Sequence, residues 1–272
     1  MAQAQITDRS LFYRRTGEGE PLLLIQGLSG THASWGPEFL DALGPGLELI
    51  SYDHRGIGDS GAIDGPFTIP DLARDASELL DALGLESAHV LGISMGGMIA
   101  QELALAHPER VRTLTLGCTY PGGPQSRITD QATVQRLLAG FASGDPEVIL
   151  RTSFEVNVSP AYAARPGTWE QFREIALSVP SPIPVIFEQL RATAAHDASD
   201  RLASLTAPTL VIHGDADQML DVVNGELIAR LVPGARLELL PGVGHLFGVE
   251  EPGRSAELVR DHVLAAAPAP RQ

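Results

Sequence analysis

Gly92-Ile93-Ser94-Met95-Gly96 decides how this chain is read. The stretch follows a short apolar run, His89-Val90-Leu91, and opens a helical pattern from Met98 to Ala106. A serine flanked by glycines two residues away on each side, at a strand-to-helix turn, has the form of a nucleophile elbow. The turn is tight enough that side chains at 92 and 96 would strike neighbouring backbone, so glycine is required there. Its result is a hydroxyl pushed out at a strand end, beside the electropositive start of a helix.

A serine hydroxyl is a poor nucleophile unless an adjacent base takes its proton, and imidazole is the usual base. Among the eight histidines, His107 and His262 read as structural or solvated. His54 reads as a loop-packing residue and His213 as a strand-end residue that positions a loop. His245 lies in Pro241-Gly-Val-Gly-His245-Leu-Phe, a glycine-rich loop after the last strand pattern, which can carry an imidazole across to Ser94. The base needs a carboxylate to fix its tautomer and stabilise the imidazolium. His213-Gly-Asp215-Ala-Asp217 offers two. Asp217, further out in the loop, is the choice, because Asp215 more naturally turns back to the loop backbone. A metal reading of His213, Asp215 and Asp217 lacks a further ligand cluster at suitable spacing, so no metal is expected. An oxyanion would be met by two main-chain donors, the N–H of Met95 and the N–H of Leu28 in Gln26-Gly27-Leu28-Ser29-Gly30. Each such donor contributes on the order of 3 kcal/mol in a transition state.

Around these residues the chain alternates. Leu22–Ile25, Leu47–Tyr52, His89–Ile93, Val111–Gly117, Thr209–Ile212 and Arg236–Leu240 read as strands. Thr68–Leu83, the elbow helix, Val222–Leu231 and Pro252–Ala265 read as helices, with Thr68 and Asp71 forming a capping box. Such alternation predicts an α/β fold with a mostly parallel sheet flanked by helices. From Thr119 to Leu205 the rhythm changes to helical pieces separated by Pro and Gly. The expected domains are therefore a core, 1–118 and 206–272, and an inserted helical cap, 119–205. Trp169, Phe154, Phe172 and Phe187 are candidates for the wall of a substrate pocket. The Ala/Pro-rich end at 265–272 reads as frayed.

The 272 residues suit one large α/β domain with an insertion. All 19 basic residues are arginine. With no lysine, Schiff-base, PLP and Walker-type phosphate chemistry are excluded. The net charge of −15 argues against nucleic acid and anionic membranes as partners. One cysteine, Cys118, excludes an internal disulfide and a cysteine-based zinc cluster, and its place at a strand end reads as a buried, inert thiol. No signal pattern and no spanning run is seen, so a cytoplasmic protein is expected.

Taken together, Asp53-His-Arg-Gly-Ile-Gly-Asp-Ser60, Ser94-Met-Gly-Gly-Met98, Ala106-His-Pro-Glu-Arg-Val111, Ala207-Pro-Thr-Leu-Val-Ile-His-Gly214 and Gly242-Val-Gly-His245 resemble the α/β-hydrolase fold family with a helical cap. The order Ser94, Asp217, His245 is that family's serine–acid–histidine order. The chain is similar to the branch of 3-oxoadipate enol-lactonases and small bacterial esterases. One departure is Gln26-Gly27 where many relatives carry His-Gly. The resemblance implies a cofactor-free hydrolase that cleaves an ester or lactone through an acyl-enzyme on Ser94, with a small molecule as its partner. A second copy of the chain stays open as a partner. Perhydrolase or haloperoxidase chemistry and C–C bond hydrolysis use the same three residues and are the alternatives. A non-catalytic small-molecule receptor is the reading from another class.

Overall fold

The structure, a computed structural model, describes residues 2–266; residues 267–272 of the expected frayed end lie outside it. The described residues form eight strands: β1 (Ala2–Gln5), β2 (Ser10–Thr16), β3 (Glu20–Ile25), β4 (Leu47–Tyr52), β5 (Ala88–Ile93), β6 (Val111–Gly117), β7 (Thr209–Gly214) and β8 (Arg236–Leu240). They make one sheet in the order β1-β2-β4-β3-β5-β6-β7-β8. β1 pairs antiparallel with β2 and β2 antiparallel with β4 at one edge, and the pairings from β4 to β8 are parallel. The parallel part matches the sequence expectation, whereas β1 and β2 extend the sheet beyond it.

Helices α1 (Pro37–Leu43), α2 (Ile69–Ala82) and α3 (Met95–Ala106) follow β3, β4 and β5. The insertion between β6 and β7 holds α4 (Gln131–Ala142), α5 (Pro146–Asn157), α6 (Pro160–Ala163), α7 (Thr168–Ser178) and α8 (Ile183–Ala194). The chain closes with α9 (Val223–Leu231), α10 (Phe247–Glu250) and α11 (Pro252–Ala266).

The buried strands read as continuous apolar runs because each face of the sheet is covered. Successive side chains point to opposite faces. Leu23 and Ile25 of β3 therefore pack with Leu72 and Leu79 of α2 and with Met98 and Leu103 of α3. Leu22 and Leu24 pack with Phe39 of α1 and with Val259 and Val263 of α11 on the other side. Thr68 caps α2 with Asp71 in the expected capping box, a feature that stabilises a helix start by about 1 kcal/mol. The parallel strands all point the same way, so the loops after β3, β5, β6, β7 and β8 gather at one end of the sheet. In open α/β sheets that end is where ligands bind.

Candidate active site

Ser94 is the residue between β5 and α3, with φ 56° and ψ −122°. A positive φ is costly for a residue with a Cβ, and it persists only when surrounding structure enforces it. Here the enforcement is close packing of main chain. A Cβ on Gly92 would fall on the Gly96 carbonyl, and one on Gly96 would fall on the Ile25 carbonyl. The Ser94 N–H donates to Gly117 O (2.9 Å), and its carbonyl accepts from Thr119 Oγ1 (2.7 Å). Ser94 is half-buried, and its Oγ makes no hydrogen bond among the described residues.

The loop Gln26–Gly30 after β3 approaches Ser94. A Cβ on Gly27 would come within 3.0 Å of Ser94 Cβ and 3.6 Å of Ser94 Oγ. A glycine is thus what lets this loop lie against the serine. Gln26 Oε1 accepts the Gly27 N–H at 3.0 Å, and His54 Nε2 meets Gln26 O at 2.9 Å. Gln26 therefore anchors the loop through its own side-chain oxygen. Neither the Leu28 nor the Met95 N–H donates to a protein acceptor among the described residues.

Asp217 and His245 meet on the other side of β6. His245 Nδ1 lies 2.7 Å from Asp217 Oδ2. The hydrogen bond assigns the proton to Nδ1 and leaves Nε2 as the acceptor. Asp217 Oδ1 takes the main-chain N–H groups of Met219 (2.7 Å) and Leu220 (2.9 Å), so the acid also shapes its own loop. His213 Nε2 lies 2.9 Å from Leu220 O and 3.3 Å from Asp217 Oδ2. Burial pushes the Asp217 carboxyl up, but His245 and the hydrogen bonds from His213 and His245 outweigh it and hold the group well below the usual carboxylate range. Asp215 turns away and accepts the Gly242 N–H at 2.6 Å.

Cys118, directly after β6, links the two halves spatially. It follows Gly117, the acceptor of the Ser94 N–H, and its Sγ lies within 4.8 Å of ligand atoms of Asp217 and His245. These three groups could in outline hold a metal. Burial, reinforced by the Asp217 charge, pushes the Cys118 thiol far up, and a protonated thiol is a poor ligand. Nδ1 and Oδ2 of the other two are engaged with each other.

Two residues escaped the sequence reading because their contacts span the fold. Glu250 accepts the Gly244 N–H at 2.8 Å, next to His245, and the Ser159 N–H at 2.9 Å. It also takes the Ser159 hydroxyl at 2.5 Å, so the histidine loop is tied to the cap. Gln218, beside the acid, donates to the carbonyls of Glu155 and Val158 at the end of α5.

Three of the four aromatic residues expected at a pocket wall lie together within the insertion. Phe154 is fully buried and packs in tilted arrangements against Trp169 and Phe172, at ring-centroid distances of 5.6 and 5.2 Å. Arg151 lies over the Phe154 and Trp169 rings. These rings are the cap's own small core, needed because short helices cannot bury their apolar faces alone. Phe187 projects to solvent, 59% exposed. A cavity of about 560 Å³ opens beside the acid loop, lined among others by Arg127, Ile128, Asp130, Asp217 and Gln218, and none of the four aromatic residues lines it. Among the described residues no helix is long and apolar enough to cross a membrane.

The family described as alpha/beta hydrolase fold matches residues 20–252. A protein of Azorhizobium caulinodans named "Putative carbamate hydrolase RutD" is 34% identical, over 93% of this chain and 94% of its own length. The crystal structure of a hydrolase from Pseudomonas aeruginosa superposes with a TM-score of 0.79 at 32% identity, covering 95% of this chain and 97% of its own. The enol-lactonase from Burkholderia xenovorans superposes with a TM-score of 0.84 at 25% identity, over 97% of this chain and the whole of its own.

Proposed function

The chain belongs to the α/β-hydrolase fold family, and from that premise we propose that it is a serine hydrolase that cleaves a carboxylic ester or a lactone through an acyl-enzyme on Ser94. The observation that supports this reading is the buried 2.7 Å pair of His245 and Asp217, carried by loops at the same end of the sheet as the elbow serine. In this mechanism His245 Nε2 takes the Ser94 proton as Oγ bonds to the substrate carbonyl carbon. The carbonyl oxygen becomes an oxyanion facing the N–H groups of Leu28 and Met95. Collapse of the tetrahedral species breaks the bond to the alkoxide, which leaves with the proton from His245. Water then attacks the acyl-enzyme by the same route in reverse, giving the acid and free Ser94. Asp217 stays ionised throughout, because its environment strongly favours the charged form.

A cytoplasmic enzyme acting on a small molecule, without cofactor, accords with this chemistry. The test is turnover of p-nitrophenyl butyrate, a lactone and a carbamate by the wild type and by Ser94→Ala. The carbamate joins the panel because of the Azorhizobium relative's name. We expect ester or lactone turnover that falls by at least about 10⁴-fold in the variant. A protein that turns over none of them and binds one unchanged would be a receptor instead.

A further inference from the structure

Gln189 of α8 is fully buried in the cap, yet its side-chain oxygen accepts the main-chain N–H of Ser29 at 2.8 Å. From the connector before α8, Ser181 Oγ donates to the main-chain carbonyl of the same residue, also at 2.8 Å. Both polar main-chain groups of Ser29 are thus held by the cap. Ser29 is one of three non-glycine residues with positive φ among the described residues, at 59°, so its conformation needs holding. Gln189 Nε2 is buried with no hydrogen-bond partner among the described residues. A group kept buried with one end unpaired points to a demand on the other end.

Ser29 directly follows Leu28. The preceding part of the loop is anchored from the core, by His54 on Gln26 O and by Gln26 Oε1 on the Gly27 N–H. The loop carrying the Leu28 N–H is therefore pinned on one side by the core and on the other by the cap. We infer that Gln189 and Ser181 are positioning residues that aim the Leu28 N–H at the reacting carbonyl by clamping Ser29. Assembly of the cap then completes the oxyanion hole. The role given to Leu28 rests on the function proposed above, whereas the clamp on Ser29 does not.

The test compares the wild type with Gln189→Met, Gln189→Glu and Ser181→Ala. Amide hydrogen exchange is followed over residues 26–31, and kcat and KM are measured on p-nitrophenyl butyrate. In Gln189→Met the Ser29 amide exchanges at least about tenfold faster. kcat falls roughly 10- to 100-fold, as a displaced transition-state donor requires, while KM moves less than about threefold. Gln189→Glu keeps an acceptor oxygen and retains slow exchange. Ser181→Ala gives a smaller loss of kcat in the same direction. Unchanged exchange in Gln189→Met overturns the clamp, whether or not the protein is an esterase. Faster exchange with unchanged kcat, or a raised KM alone, overturns the role in aiming the donor. Loss of the esterase reading itself would show separately, as Ser94→Ala retaining full turnover.

Discussion

Asp217 Oδ2 and His245 Nδ1 lie 2.7 Å apart with side-chain exposures of 0% and 4%. A charge-assisted hydrogen bond shielded from water in this way is stronger than one at the surface. It also selects between the two acids of the Asp215-Ala-Asp217 loop, since Asp215 is spent on Gly242.

Asp217→Asn is therefore expected to lower kcat on p-nitrophenyl butyrate by about 10⁴-fold, by favouring the wrong tautomer of His245. Asp215→Asn should cost less than about tenfold, through slackening of the loop. Steady-state kinetics of both variants decide the matter, and the reverse ranking would remove Asp217 from its role.

The same acid predicts a stability change with pH. Its carboxyl is held below its ordinary value on folding. It thus contributes stability that is present above the usual carboxylate range and is lost as pH falls through the depressed value. Glu250 has the opposite sign. Burial raises its carboxyl and outweighs the hydrogen bonds from Ser159 and Gly244. Its contribution is full below the usual carboxylate range and declines as pH rises through the raised value. Urea unfolding of the wild type and Glu250→Gln should show their stability difference shrinking from about pH 4 upward. A difference that grows with pH contradicts the assignment.

The elbow stores strain that a glycine would release. Ser94→Gly should be more stable than Ser94→Ala by about 1 kcal/mol or more, with neither variant active. Equal unfolding free energies would mean that the positive φ at 94 carries no cost.

Much of this site could be read from the chain because its parts are local. Gly92 and Gly96 mark the elbow within five residues, and the glycine-rich loop before His245 and the acidic loop around Asp217 each follow a clear strand pattern. The parallel sheet was legible for the same reason, in runs such as Leu22–Ile25. β1, with the sequence Ala-Gln-Ala-Gln, has too little apolar character to announce a strand, and it forms by pairing with β2. The links that brace the site had no local signal. Gln189 and Ser29 are 160 residues apart, and Glu250 and Ser159 are 91 apart. The aromatic residues of the cap were visible as a group, but composition does not say whether rings face a ligand or one another.

Their packing gives a further expectation. Phe154→Ala should destabilise the protein by roughly 3 to 5 kcal/mol, because it empties the centre of the cap's core. Phe187→Ser, at an exposed position, should stay within about 0.5 kcal/mol. Chemical denaturation measures both, and a larger effect at 187 would show that this ring is covered in solution.

The central claim is that Ser94 is activated by His245, and covalent labelling with a fluorophosphonate tests it most directly. The predicted result is one adduct on the wild type, located at Ser94 by mass spectrometry, no adduct on Ser94→Ala, and labelling of His245→Ala slower by about 10³-fold or more. An adduct at another residue, or labelling of His245→Ala at the wild-type rate, would contradict it.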